Sequence, residues 1–494
     1  MDLGSHASVS TTGRHMPRGS WLPPVVAPNG ELHHVFVPPY PTAATALGSD
    51  FTYMRIEPYL DYTPFAEDFG PVSLASVFEF CRDLRKLIEE NPTRLVAVVT
   101  KSDVKSLTNS IFLLGSYLIV ILNRCVESVE NCFKHLGSRV ASFRDISPGR
   151  QNFDLFLSDC WSGLRKASAL AWVGDRFDLE QYLDLGSTLN ADMHEVIPGK
   201  MFAMRGPKNI GKEYKDVVVN GTFSHREFSA VHYASILQEL NVQVVVRLNG
   251  PVYDAQDFVD AGKFFASMSL FRGGSENLID VCDLDSSAGI AVVDLFYEDC
   301  TTPPVDVAAK FLDIVEGIPG RIVVHCKAGL GRTGTLIALY MMKHYGFTAR
   351  EAMAWLRIVR AGSVIGVQQQ FLCAHQSAMR RAGEAFRRPR ASPPARPLSC
   401  DVGCVMSFID EVCMLRDLHI AATLPPSLSV AEISSVLSPH IIKMATRNPD
   451  VVGVNDTTQT TESIQDPKAS MDLPDGRNTA ASLTQLHAEP GGRG

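Results

Sequence analysis

The stretch Val324-His325-Cys326-Lys327-Ala328-Gly329-Leu330-Gly331-Arg332-Thr333-Gly334 decides the reading of this chain. It follows the apolar run Arg321-Ile322-Val323-Val324, which reads as a buried strand. It opens an apolar run from Thr335 to Tyr345, which reads as a helix. A strand, a short glycine-bearing loop and a helix start aim several backbone N–H groups at one anion. Inside the loop, Cys326 is followed six positions later by Arg332. Thiolate is the nucleophilic form of cysteine, and a helix N-terminus with nearby cations lowers a thiol pKa from ~8.5 to roughly 3.5–7.5. The Arg332 guanidinium is a planar fork suited to two oxygens of one phosphoryl group. Gly329, Gly331 and Gly334 allow close backbone approach, and Thr333 offers a hydroxyl to the cysteine sulfur. These parts suit transfer of a phosphoryl group to sulfur and then to water. A nucleotide-binding loop would end in Gly-Lys-Ser/Thr, which is not found here. Cys-x5-Arg alone recurs by chance beside any structural cysteine. The whole string in strand–loop–helix context is much more specific.

The string His325 to Ala338, with Met342-Lys343-His344-Tyr345, Gly362-Ser363-Val364-Ile365-Gly366 and Gln368-Gln369-Gln370-Phe371, resembles the cysteine-dependent protein phosphatases. Within them it is similar to the cell-division-cycle fourteen-type dual-specificity phosphatases, over roughly residues 30 to 375. The resemblance implies an α/β fold of two tandem dual-specificity-phosphatase-like domains, each a central sheet flanked by helices, with only the second active. It implies Cys326 as nucleophile, Arg332 as phosphate clamp, and Lys327, Ala328, Gly329, Leu330 and Gly331 as the phosphate-binding loop, supported by His325 and Thr333. It also implies phosphorylated proteins as partners, at phosphoserine-proline sites above all, with phosphothreonine and phosphotyrosine accepted. No metal or organic cofactor is expected. Nucleus and cytoplasm, and association with the centrosome, spindle or basal body, are expectations of the same kind. Lipid-phosphatase relatives tend to carry a second lysine where this chain has Leu330. Two other readings stay open: an enzyme acting on inositol lipids or RNA ends, and a non-catalytic phosphoprotein-binding module. Intact Cys326, Arg332 and Asp299 argue against the module.

A serine or threonine leaving group departs as a high-energy alkoxide unless it is protonated, so a general acid is required. The segment Glu298-Asp299-Cys300-Thr301-Thr302-Pro303-Pro304 follows the apolar run Ile290–Tyr297. The resemblance places the acid at Asp299. Cys300 stands where the family usually has glycine, and reads as a small filler residue or as a disulfide partner for Cys326. Gln368, with an amide that both donates and accepts, is implied as the group that aligns the hydrolytic water.

At 494 residues, 45% of them hydrophobic and 20% charged, the chain is long enough for two or three globular domains. A net charge of −8 gives no electrostatic case for nucleic-acid binding. Eleven scattered cysteines suggest reduced thiols inside a cell. Cys400 and Cys404 lack a second pair at zinc spacing. Residues 1–30 show no secretory pattern and are expected to be disordered. The apolar run Ile111–Leu122 is too short to span a bilayer and reads as a core helix, so no membrane span is expected.

Residues 31–170 alternate apolar runs and helical patterns, including a helix over Leu74–Glu90 with apolar positions 74, 77, 78, 81, 84, 87 and 88. Laid over the catalytic segment at a constant offset of 225, the strand, loop and helix coincide, with Lys101 under Cys326 and Leu107 under Arg332. This predicts a second, catalytically dead copy of one fold. Residues 171–195 are expected to hold a linker helix near Asp175–Leu185, with Asp175, Asp178, Glu180 and Asp184 on it. The resemblance implies an acidic groove there that selects a basic residue after the phosphosite, interrupted here by Leu183 and Gly186. The catalytic domain is expected over 196–375, with 263–289 as an insertion or a gene-model error. Residues 376–494 are expected to form a disordered regulatory tail, with a basic cluster at Arg380-Arg381 and Arg387-Arg388-Pro389-Arg390 and a short helix near Met406–Leu418.

Overall fold

The computed structural model describes residues 51–387 except 102, 175–176, 220, 256–257 and 259–289, together with the backbone of short strands at 20–21, 25–26, 32–33 and 35–37. The expectations for 1–19, for 263–289 and for the chain beyond 387, including Cys400, Cys404 and the Met406–Leu418 helix, lie outside the described residues.

The N-terminal half contains β1 (Ser20–Trp21), β2 (Val25–Val26), β3 (Leu32–His33), β4 (Val35–Val37), β5 (Phe51–Arg55), α1 (Leu74–Glu90), β6 (Leu95–Val99), α2 (Val104–Val120), α3 (Val126–Phe133) and α4 (Leu157–Ala169). Helix α1 starts where Ser73 caps it by accepting from the Ser76 N–H at 3.2 Å. Its buried residues include Leu74, Val77, Cys81, Leu84 and Ile88, the stripe the 3.6-residue period predicts. Helix α2 is buried from Leu107 to Ile119. Its Gly115 has no room for a side chain: a Cβ there would lie 2.2 Å from the Trp161 indole.

The C-terminal half opens with α5 (Leu179–Gly186), then β7 (Met193–Ile197), β8 (Met201–Met204), β9 (Tyr214–Val219), β10 (Thr222–Phe228), α6 (Ala230–Glu239), β11 (Val242–Arg247), β12 (Ala291–Asp294), α7 (Val305–Gly317), β13 (Arg321–His325), α8 (Gly331–His344), α9 (Ala349–Val359) and α10 (Val367–Arg387). The five-stranded sheet has the order β12-β11-β13-β8-β7, parallel except for β7. Alternation along β13 splits the core: Ile322 and Val324 face one cluster, Val323 the other.

The two halves repeat one topology. The N-terminal sheet has the order β1-β4-β6-β5, with β1 antiparallel to β4 and the rest parallel. That reproduces β7-β8-β13-β11 and leaves out the edge strand β12. The expected register needs correction, because the loop after β6 is one residue shorter than the loop after β13. The offset is 226 at the strand ends (Val99, His325) and 227 at the helix starts (Val104, Gly331). Cys326 therefore faces Thr100, not Lys101, and Arg332 faces Lys105, not Leu107. Thr108 and Thr335 then coincide, and each hydroxyl donates to the carbonyl four residues back, at 2.7 and 2.8 Å.

Other boundaries shift too. The linker helix begins at Leu179, because Asp178 caps it by accepting from Gln181 N–H at 2.9 Å. The catalytic sheet begins at Met193, three residues before the expected start, since β7 is its antiparallel edge. The run Ile290–Tyr297 stays in the sheet only over Ala291–Asp294. Helix α10 continues to Arg387, past the expected end at 375, because Ala378, Met379, Ala382 and Gly383 are buried. The halves share one core: Arg350 of α9 pairs with Asp159 of α4 at 2.9 Å, and a Cβ on Gly163 would lie 2.6 Å from the Glu351 carbonyl. Among the described residues, no helix is long and apolar enough to cross a membrane.

Candidate active site

The loop 326–330 leaves the C-terminal end of β13, the central strand, and runs into α8. Ligand sites of open α/β sheets lie at such strand ends. Helix α8 has no side-chain cap at Leu330, so the N–H groups of its first turn stay available to an anion. The equivalent helix α2 is capped by Asp103, whose carboxylate accepts from Ser106 N–H at 2.8 Å. In the first domain the protein's own carboxylate sits on the helix start that would receive phosphate, and Thr100 and Lys105 replace the cysteine and arginine.

Cys326 is buried at 3% exposure. His325 is fully buried; its Nε2 is 2.9 Å from the Tyr253 hydroxyl and its Nδ1 is 3.1 Å from the Cys326 carbonyl. Burial pushes its pKa down to about 4, so the ring beside the cysteine is neutral near pH 7. Tyr253 is fixed in turn by Arg247, which donates to the Tyr253 carbonyl at 2.9 Å and grips both Asp294 carboxylate oxygens. Asp294 thus braces the site from outside.

Arg332 is 3% exposed, and its Nη1 donates to the carbonyls of Tyr297 at 2.9 Å and Leu248 at 3.3 Å. Its Nε lies 3.1 Å from Asp299 Oδ1, close enough for an ion pair but off the N–H direction, so Nε makes no hydrogen bond. The Thr333 hydroxyl is likewise buried without a partner. Two unsatisfied buried donors at one loop are costly without a ligand and fit a phosphoryl group or a thiolate.

Gly329 has φ +69°, and a Cβ there would lie 1.9 Å from the Met204 carbonyl. The loop's shape is held from behind by Arg360, which sequence reasoning missed. Its Nε and Nη2 donate to the Gly329 and Ala328 carbonyls, both at 2.9 Å, and Nη2 is 2.9 Å from Asp192 Oδ1. Drawing these carbonyls outward leaves the N–H side of the loop for the anion. Lys327 is exposed, and its carbonyl accepts from Gly206 N–H at 3.2 Å.

The segment after β12 lies over this loop and brings Asp299, not Glu298, to Arg332. Cys300 adopts φ +58°, the left-handed region that glycine enters freely. This explains the fit of glycine at that position in the resembled family. Cys300 and Cys326 are both free thiols. A β-branched side chain is a genuine outlier at positive φ, and the left-handed conformation already costs roughly 1–2 kcal/mol in an L-residue. Cys300→Gly is therefore expected to keep kcat/KM on a phosphoserine peptide within about twofold, whereas Cys300→Val should lower it about tenfold by displacing Asp299. Equal activity of the two variants would show that the turn does not place the carboxylate.

Of the three glutamines only Gln368 enters the site. It is fully buried, its Oε1 accepts from Ile365 N–H at 3.0 Å, and its Nε2 donates to the Thr301 carbonyl at 3.0 Å. A Cβ on Gly331 would lie 3.0 Å from its Oε1, so the amide rests on the phosphate loop. Gln369 instead accepts from Arg357 at 2.8 Å, and Gln370 donates outward to the Asn152 carbonyl. The N-terminal half reaches the same place: Phe65 and Ile146 come within 3.3 Å of a Cβ position on Gly362, as does Leu330 of the phosphate loop.

Two family models match the chain: "Dual specificity protein phosphatase, N-terminal half" over residues 35–167, and "Dual specificity phosphatase, catalytic domain" over 256–376. The chain is 35% identical over 343 residues to the dual specificity protein phosphatase CDC14C of Homo sapiens, covering 69% of each chain. It is 34% identical over 349 residues to CDC14B of Mus musculus, covering 70% of this chain and 65% of that one. To the tyrosine-protein phosphatase cdc-14 of Caenorhabditis elegans it is 35% identical over 336 residues, which span 66% of this chain and 42% of the relative.

Proposed function

The chain belongs to the CDC14 family of dual-specificity protein phosphatases, and from that premise we propose that it hydrolyses phosphoserine, phosphothreonine and phosphotyrosine in proteins through a cysteinyl-phosphate on Cys326. The observation that carries the reading is the uncapped α8 N-terminus beside Cys326, with Arg332 Nε and the Thr333 hydroxyl buried and without a hydrogen bond. The Cys326 thiolate attacks phosphorus while Arg332 and the loop N–H groups hold the equatorial oxygens. Asp299 gives its proton to the departing serine oxygen. A water aligned by Gln368, once that amide releases the Thr301 carbonyl, then attacks the thiophosphate and returns a proton to Asp299. Side chains and the loop N–H groups supply every step of this reading, which calls for no metal or organic cofactor.

Phosphoserine followed by proline is the favoured substrate in this reading. The apolar side chains of Phe65 and the half-buried Ile146, beside the buried Leu330 at the lip of the phosphate loop, suit a proline ring. Phe65 is 57% exposed, so this surface is open to a peptide. Nuclear and cytoplasmic residence, with centrosome, spindle or basal-body association, belongs to the same proposal. A phosphopeptide array assayed for phosphate release tests it. Phosphoserine-proline peptides should exceed matched phosphoserine-alanine peptides by about tenfold, the scale of one small apolar contact. Faster hydrolysis of an inositol phosphate or an RNA 5′ end than of any peptide would replace this substrate class.

A further inference from the structure

We infer that Asp145, in the half of the chain without a catalytic cysteine, is a positioning residue for the second chemical step, the hydrolysis of the cysteinyl-phosphate. The inference rests on the proposed role of Gln368.

Asp145 is buried at 3% exposure, and its Oδ2 accepts from Gly366 N–H at 2.6 Å across 221 residues of chain. Gly366 lies two residues before Gln368, at the turn into α10, and has φ +57°. The other side of this loop is fixed from within the catalytic half. Arg357 donates to the Ser363 and Val364 carbonyls at 3.0 and 2.9 Å. Arg357 therefore holds the carbonyls and Asp145 holds the N–H. The Gln369 amide, itself held by Arg357, also donates to the Gly366 carbonyl at 3.1 Å, so with its N–H released Gly366 would keep its ties within the catalytic half and lose the hydrogen bond that fixes the turn to the N-terminal half.

The segment that carries Asp145 is rigid. Phe143 and Leu155 exchange two backbone hydrogen bonds at 2.7 and 3.1 Å. Arg144 donates to the Ser147 and Gly149 carbonyls at 2.9 and 2.7 Å and pairs with Glu67. Ser147 donates its hydroxyl to the same Asp145 oxygen. A charged acceptor on a braced loop makes a hydrogen bond about twice as strong as a neutral one. It also places a carboxylate beside the N-terminus of α10, where the helix dipole favours it. Gln368 must sit within a fraction of an ångström of its place to align a water, and a 1 Å error can cost about 10²-fold.

Formation of the cysteinyl-phosphate uses Cys326, Arg332 and Asp299, none of which Asp145 contacts. Hydrolysis is the step in which Gln368 touches the reacting atoms. Loss of Asp145 should thus fall on the second step alone.

The test uses the full chain and nitrophenyl phosphate, with the phosphoenzyme quantified by quench and mass spectrometry. Asp145→Ala is expected to lower kcat about 10- to 100-fold, to leave kcat/KM within twofold, and to accumulate phosphocysteine. Asp145→Asn keeps an acceptor oxygen and should show the same pattern, weakened to a few-fold. Should the alanine variant not fold, the asparagine variant decides by the same split. A loss shared equally by kcat and kcat/KM, or no loss, would overturn the inference, since a merely structural role moves both together. Gln368→Ala provides the control. Trapping in Gln368→Ala without trapping in Asp145→Ala refutes the role of Asp145 and leaves that of Gln368. Trapping in Asp145→Ala alone would remove Gln368 from the hydrolytic step and overturn the inference, because Asp145 is argued to act through Gln368.

Discussion

Cys326→Ser is expected to lower turnover by at least about 10⁴-fold while phosphopeptide capture survives. Sulfur is both the stronger nucleophile and the better leaving group in transfer to phosphorus, and a serine hydroxyl, with its far higher pKa, cannot take over either part. The phosphate cradle does not depend on sulfur. Arg332 is held by the Tyr297 and Leu248 carbonyls, and the loop carbonyls are held by Arg360. The variant should therefore bind a phosphopeptide about as well as the parent forms its first complex. Phosphate release and peptide titration, measured on one preparation, check both halves. Comparable release would end the covalent mechanism. Lost capture with an unchanged melting temperature would mean that the sulfur itself builds the cradle.

Local chemistry was legible in the sequence because it repeats at short spacing. The strand, loop and helix around Cys326 lie within some twenty consecutive residues, and the α1 stripe follows the helical period. The duplicated half was legible as a pattern, yet its register was not. A one-residue deletion between strand and helix leaves both apolar runs intact, and only the backbone shows that Thr100 and Lys105 stand at the two catalytic positions. The Asp103 cap that closes the first site is a three-residue signal, Asp103 to Ser106, and could have been read as an N-cap. Arg360 and Asp145 had no such signal. Arg360 reaches Gly329 across 31 residues and Asp145 reaches Gly366 across 221, and no periodicity announces a pair that far apart. Both are buried charges, and a buried charge must be paired, but burial is not visible in the sequence at either position.

Asp299→Asn is expected to slow phosphoserine peptides by roughly 10²–10⁴-fold, the usual scale of general acid catalysis. Nitrophenyl phosphate should lose far less, because nitrophenolate departs without a proton and a serine alkoxide does not. Two other acidic residues in the same segment separate chemistry from proximity. Asp294 is bound on both oxygens by Arg247, so its loss should act through the Tyr253–His325 brace and affect both substrates alike. Glu298 precedes the turn, and its carbonyl accepts from the Thr301 hydroxyl at 2.8 Å. Asp299 alone of the three has a carboxylate oxygen at the phosphate clamp, 3.1 Å from Arg332 Nε, and its turn is closed by the Cys300 N–H at the same distance. The leaving-group dependence should accordingly appear in Asp299→Asn and be missing from Glu298→Gln. Paired kcat/KM values for the two substrates decide the matter. Its appearance in Glu298→Gln instead would move the acid by one residue, and the left-handed turn at Cys300 would then be placing the wrong carboxylate.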